Sequence, residues 1–439
     1  MDDRAVADGS VGYADPWHRS AWCRPWSPHV PEHPTPDADA PLDGPDAKIG
    51  DLAASAGIRR IHVLAWRDLD DVEAGGSELH AHAVCREWAA SGLEVTCRTS
   101  FAQGHPPEIM RDGYRVIRKA GRYLVFPRSV AAELAGRNGE RDALVEIWNG
   151  MPFLSPLWAR GPRLTFLHHV HGEMWQMVLP PRLAAMGDLL ERRIAPPLYR
   201  RSRIVTLSES SREDMLDQLH LRPDRVDVVP PGIDPRFSPG AESPTPLVVA
   251  VGRLVPSKHV DKLVRAVAHA RRTVPDLHLV VVGEGYERLH IEATVEDVDG
   301  GAWVDLPGRV PDDELVDLYR RAWLLGSASS HEGWGMSVTE AAACATPAVV
   351  TDVPGHRDAV VPDVTGRLVP LEAPHFPERL GDAMAALIND PGARRRLSEG
   401  AAEHAAGFTW RATATSLMAI LADEATRRRR PRTEDRRSS

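Results

Sequence analysis

A chain of 439 residues has room for two domains plus extensions, and 43% hydrophobic with 26% charged residues is the balance of an ordinary globular protein. A formal net charge of −9 speaks against a general nucleic-acid binder, and no run approaches the ~20 apolar residues that span a bilayer. The four cysteines (Cys23, Cys85, Cys97, Cys344) make no C-x-x-C pair and the N-terminus shows no apolar leader, so the expectation is a cytoplasmic chain without a zinc site or disulfide framework.

Residues 1–57 are dominated by Pro, Asp, Ala and Gly without hydrophobic periodicity, and read as a disordered extension. Trp17, Trp22 and Trp26 complicate that reading, because such rings could pin an arm to the body or to a partner. Order is expected from Ile58. Residues 60–65 read as a strand, Gly75-Gly76 opens a helix to about Ala90, and 93–97 is the next strand, which together make a βαβ unit. Leu79, Ala83, Val84 and Trp88 are expected on one side of that helix. The loop lacks G-x-G-x-x-G, so the dinucleotide fingerprint fails.

Further strands are expected near 114–118, 144–147 and 163–167, the last ending in His168-His169-Val170-His171. Strand alternation puts His169 and His171 on one face and His168 on the other. No Asp, Cys or further His pair completes a tetrahedral set, so no metal is expected. Residues 181–203 are amphipathic and basic: a surface helix with solvated arginines, or a contact to an anionic or lipid-linked acceptor at a membrane surface. After strands at 204–208 and 226–229, a proline-rich linker closes a first domain of 58–238.

The second domain, 247–408, restarts the alternation with the apolar run 247–251, a strand buried on both faces. Just past it, Arg253 and Lys258 combine a fork donor and a point charge, which suits a diphosphate. The most informative stretch begins at Ser330. Glu332 and Glu340, eight residues apart, bracket Gly333-Trp334-Gly335 and a helix expected from Met336 to Ala345, ended by Thr346-Pro347. The first N–H groups of that helix make an anion site, and Glu340, one turn in, can accept from hydroxyls beside the anion. A phosphate flanked by hydroxyls describes a sugar nucleotide.

The run 330–355, with its strand 348–351 and the turn Asp352-Val353-Pro354-Gly355, closely resembles the donor-site signature of family 4 glycosyltransferases. The segment 252–258 resembles that family's second donor motif, with His259 where a small residue is usual; Asp358 stands where relatives commonly carry Glu. The resemblance covers about 58–425. It implies an α/β GT-B fold, two Rossmann-like parallel-sheet domains facing a cleft, with a 409–425 helix packing back on the first domain and an Arg-rich tail at 426–439.

It also implies a retaining, metal-independent transfer from a nucleoside-diphosphate sugar, with no other cofactor. The catalytic residues it implies are His168 (or His169 or His171) on the donor sugar, Glu332 on sugar hydroxyls, and Arg253 with Lys258 on the diphosphate. Gly335, Met336 and Ser337 would add N–H groups there and Glu340 would take the ribose. Gly75 and Gly76 would approach donor phosphates and acceptor, and Arg309 and Val310 the base. The acceptor stays open between a sugar, a lipid-linked group and a small molecule, with peripheral contact at the inner membrane face; sugar, base and oligomeric state are not readable. The competing readings are another GT-B enzyme, such as an epimerase or phosphorylase, and a non-catalytic sugar-nucleotide scaffold.

Overall fold

The computed structural model describes residues 46–172, 174–178 and 180–429. Two parallel sheets organise them. The first contains β1 (Arg60–Leu64), β2 (Glu94–Thr99), β3 (Glu108–Arg111), β4 (Tyr114–Arg118), β5 (Ala143–Ile147), β6 (Arg163–Phe166), β7 (Arg203–Thr206) and β8 (Val226–Val228), in the order β3-β4-β2-β1-β5-β6-β7-β8. All neighbours are parallel except β3 and β4. The hairpin between those two turns at Asp112-Gly113, both with positive φ, the pairing that two-residue hairpin loops require.

The second sheet contains β9 (Leu247–Val251), β10 (His278–Val282), β11 (Val304–Gly308), β12 (Leu324–Ser327), β13 (Ala348–Thr351) and β14 (Gly366–Val369), in the order β11-β10-β9-β12-β13-β14, all parallel. Strands such as β9 are buried on both faces because helices cover both sides, hence their unbroken apolar sequence. In each sheet the strand order reverses beside the first strand, β1 or β9. Ligand crevices form at the carboxyl ends of such strands. The loops leaving them carry Gly75-Gly76 and Arg253.

Order begins earlier than residue 58. Asp46–Ser55 is a helix, and Ile49, Ala53 and Ala56 are buried in the first-domain core beside Leu417, Leu421 and Ala425. Residues 46–57 are therefore part of the folded body, while Trp17, Trp22 and Trp26 lie outside the described residues. The final helix, Trp410–Arg429, extends past 425 and packs on the first domain; Trp88 Nε1 donates to Ala414 O at 3.0 Å. Residues 426–429 of the expected tail belong to this helix, and 430–439 lie outside the described residues. The Gly76–Ala90 helix buries Ala81, Val84, Cys85 and Trp88, and leaves Leu79 36% exposed, because its inward stripe is shared between the sheet and the 410–429 helix.

The chain crosses between domains twice, side by side. Ile233 N donates to Phe408 O at 3.1 Å, and a Cβ on Gly232 would lie 2.1 Å from Trp410 N, so only glycine lets the two crossings touch. The linker lies along the second domain, where Arg320 Nε donates to Ser238 O at 2.8 Å and Trp323 Nε1 to Ser243 O at 2.8 Å. The basic 181–203 segment forms helices Pro181–Leu189 and Ala195–Tyr199 around a π-turn at Leu190–Ile194. Its buried Glu191 accepts from the N–H groups of His171 and Gly172 and from Trp175 Nε1.

Candidate active site

The second-domain half of the site is built at the carboxyl ends of β9 and β12. β9 delivers Gly252 and Arg253, and a single 3-10 turn, Pro256–Lys258, carries Lys258 back toward them. His259 then adopts φ +44 to open the Val260–Ala270 helix, a left-handed conformation in which only glycine escapes the Cβ penalty. The Lys258 ammonium is bonded to Glu332 Oε1, which also accepts from Ser329 Oγ at 2.8 Å and lies 4.0 Å from His356 Nε2. Burial opposes ionisation of Glu332, but the Lys258 charge and the neighbouring His356 outweigh it and hold the carboxyl at about 2. A shallow pocket, open to solvent, is lined by Gly252, Arg253, Lys258, Ser327, Ser329 and Glu332.

Glu340 sits differently. Gly335, at φ +92, opens the Met336–Ala343 helix, so the N–H groups of Met336 and Ser337 have no intrahelical acceptor. One turn on, Glu340 Oε2 accepts from Tyr319 Oη at 3.1 Å. Burial pushes its carboxyl up to about 7, and that hydrogen bond only partly offsets the effect.

The first domain closes on these groups. A Cβ on Gly76 would lie 3.0 Å from Met336 Sδ, and one on Gly75 would lie 4.0 Å from Arg253 Nε. Arg309 donates to Val72 O, and the half-buried Val310 packs on the second-domain core. Arg253 is exposed, and its guanidinium makes no hydrogen bond or ion pair among the described residues, so it is uncommitted. Ser208 Oγ and Ser211 Oγ donate to Gly333 O at 2.9 and 3.2 Å, and Ser210 Oγ accepts from Gly355 N at 2.8 Å. Asp358 accepts from Glu209 N at 2.8 Å, placing a carboxylate at the start of the Glu209–Leu219 helix.

The structure places most of the expected residues together, but it turns His168 away from them. His168 is 5% exposed, and its Nε2 lies 3.2 Å from His80 Nδ1 in a cluster with Phe166. The neighbouring His169 instead has its ring 5.8 Å from that of His331, and its Nδ1 would be 3.6 Å from a Gly333 Cβ. Alternation along the extended chain separates the two, and only the packing of His80 shows which one faces inward. Burial, reinforced by His171, keeps both imidazoles neutral, His168 at about 4 and His169 well below its usual value. The groups that sequence reasoning missed are Tyr319, Ser329, His356 and Ser208–Ser211. Tyr319 lies 21 residues from its partner on another helix, a distance at which no local pattern signals contact.

Two family models together match most of the chain. One described as Glycosyltransferase Family 4 matches residues 74–237, and one described as Glycosyl transferases group 1 matches residues 234–404. The chain belongs to the family 4 glycosyltransferases. A D-inositol 3-phosphate glycosyltransferase of Segniliparus rotundus is 37% identical over 212 residues, 45% of this chain and 46% of the relative. The chain spans about half the length of the curated relatives it matches. Among solved structures, sucrose-phosphate synthase from Thermosynechococcus elongatus has a TM-score of 0.71 at 22% identity, covering 82% of this chain and 97% of that one. Anabaena HepE, solved in complex with UDP-glucose, has a TM-score of 0.64 at 17% identity, covering 84% of this chain and 99% of that one. This family 4 chain therefore shares the GT-B architecture of both.

Proposed function

We propose that the protein is a retaining glycosyltransferase that moves a sugar from a nucleoside diphosphate to an acceptor hydroxyl. The observation that carries the reading is the convergence, at one domain boundary, of an uncommitted Arg253, the Lys258–Glu332 pair and a helix start followed by Glu340. In this reading Arg253, Lys258 and the Met336 and Ser337 N–H groups take the negative charge that grows on the diphosphate as the sugar C1–O bond breaks. The acceptor oxygen bonds to C1 on the face the diphosphate leaves, and its proton passes to a diphosphate oxygen. Glu332 accepts from the donor sugar's hydroxyls while keeping Lys258 oriented, and Glu340 accepts from the ribose. His169 is the histidine we assign to the sugar side. Two cations and a helix terminus supply the charge for which other transferases recruit a metal, so the reaction needs none here.

No described helix is long and apolar enough to cross a membrane. The free, buried cysteines Cys85, Cys97 and Cys344 suit a reducing compartment, so we place the enzyme in the cytoplasm.

The test is thermal unfolding of wild-type and Glu340→Ala protein with UDP, GDP, ADP and dTDP. Ligand at a hundredfold excess over Kd should add about 2.7 kcal/mol of stability. UDP is the first to try, given its presence with HepE. A shift with one nucleotide, lost in the variant, supports the donor site; folded protein that responds to none of the four overturns it.

A further inference from the structure

The carboxyl ends of β1, β2 and β4 carry aromatic rings that the donor site does not use. Phe101 is 54% exposed and Tyr123 69%, and neither ring makes an aromatic or cation contact among the described residues. The turn 120–123 runs alongside Phe101 and carries Tyr123. Phe101 N donates to Ala120 O at 2.9 Å, a Gly121 Cβ would lie 3.4 Å from Phe101 Cε1, and Trp66 Nε1 donates to Arg122 O at 2.7 Å.

The charges around these rings are already matched. Arg67 lies 3.0 Å from Glu73 and 3.4 Å from Glu78, and Arg122 holds Glu73 at 3.0 Å. Behind them Arg111 and Arg118 hold Asp68 and Asp70, and Lys119 lies 3.4 Å from Glu108. Arg67 and Arg122 also sit over the Trp66 ring, 4.5 and 5.0 Å from its centre, which locks them further. The patch is continuous with the donor site. Glu73 is within electrostatic reach of Arg253, and Gly75, two residues on, approaches that guanidinium.

We propose that this face is the acceptor subsite, and that it takes an uncharged sugar ring, the end of a glycan or glycoside, stacked on Phe101 and Tyr123. The proposal rests on the donor reading above. A pyranose offers a C–H face to an aromatic ring and hydroxyls to its rim, where Glu73 and Arg122 accept and donate. Within the patch Arg67, Arg111, Arg118, Arg122 and Lys119 each hold a carboxylate, and Arg253 at its edge belongs to the diphosphate in the donor reading, so a phosphorylated acceptor gains no unmatched cation here. The acceptor therefore differs in class from the one named for the inositol phosphate relatives.

The test uses the full chain with saturating UDP on an array of neutral glycans, alongside titration with D-inositol 3-phosphate, for wild type, Phe101→Ala/Tyr123→Ala and Tyr123→Phe. Both rings are exposed, so the variants should fold; UDP binding is measured on each. Capture of a neutral glycan that weakens at least tenfold in the double variant and survives in Tyr123→Phe supports the proposal. Saturable binding of D-inositol 3-phosphate overturns it, as does capture indifferent to the double variant or no capture by protein that binds UDP. Protein that captures a glycan through these rings but binds no nucleotide would overturn the donor reading and the acceptor assignment with it, leaving only a glycan-binding face.

Discussion

The two glutamates at the ends of the 332–340 segment share a sequence neighbourhood and little else. Glu332 is held at about 2 by Lys258 and His356, whereas Glu340, with Tyr319 as its hydrogen-bond partner and Arg236, Asp312 and Asp234 as a mixed surround, is pushed up to about 7. The first is a finished ion pair before any ligand arrives. The second lacks strong donors, as expected of a group whose donors come with a ligand. Similar burial thus ends in opposite shifts, decided by whether a cation is supplied.

The largest expected effect tests the finished pair. Lys258→Met should leave Glu332 without its cation, lowering stability by about 2 kcal/mol in urea unfolding. It should also lower the transfer rate at least a hundredfold, since a charge on the diphosphate is lost as well. The contribution of Glu332 is present above the unfolded carboxyl value and lost as pH falls from about 4.5 toward 2, so wild type and Lys258→Met should converge in acid.

Glu340 should show the reverse sign. Its folded value is raised, so the folded state keeps a proton the unfolded chain releases. Its contribution favours folding below about 4.5 and is lost as pH rises through about 7, by up to about 3 kcal/mol. Glu340→Gln should remove that slope, read as stability at pH 5 and pH 8. Nucleotide affinity in wild type should rise about tenfold between pH 6 and 8 as the carboxylate ionises, and Glu340→Gln should abolish the rise. Affinity that falls over this window would break the assignment.

Smaller effects sharpen the contrast. Asp358→Ala removes the carboxylate that meets Glu209 N and Ser210 across the domains, and should cost about 1 kcal/mol, as loss of a helix cap does. Tyr319→Phe removes the one hydroxyl on Glu340 and should cost about 0.5–1 kcal/mol while moving the pH midpoint of nucleotide binding upward.

Much of this was legible in the chain. The apolar runs of β9 and β13, the glycine turns at strand ends and the Arg253–Lys258 spacing are local patterns, and each lies where the topology makes a crevice. The 46–55 helix escaped notice because Ile49, Leu52, Ala53 and Ala56 have helical spacing but few large side chains, and their burial depends on a helix more than 360 residues later. β3 went unread as well, because its four residues alternate between half-buried and exposed and carry no apolar run.

What the sequence determined by itself was the pair of parallel domains and the identity of the charged groups between them, because strand periodicity, turn chemistry and ligand-type spacing act over a few residues. What only the tertiary structure decided was pairing and direction: that Lys258 goes to Glu332, that Tyr319 goes to Glu340, that His168 faces His80 while His169 faces Gly333, and that the cations beside Trp66 hold carboxylates. Those depend on contacts between distant segments, where local pattern carries no information and burial sets the charge.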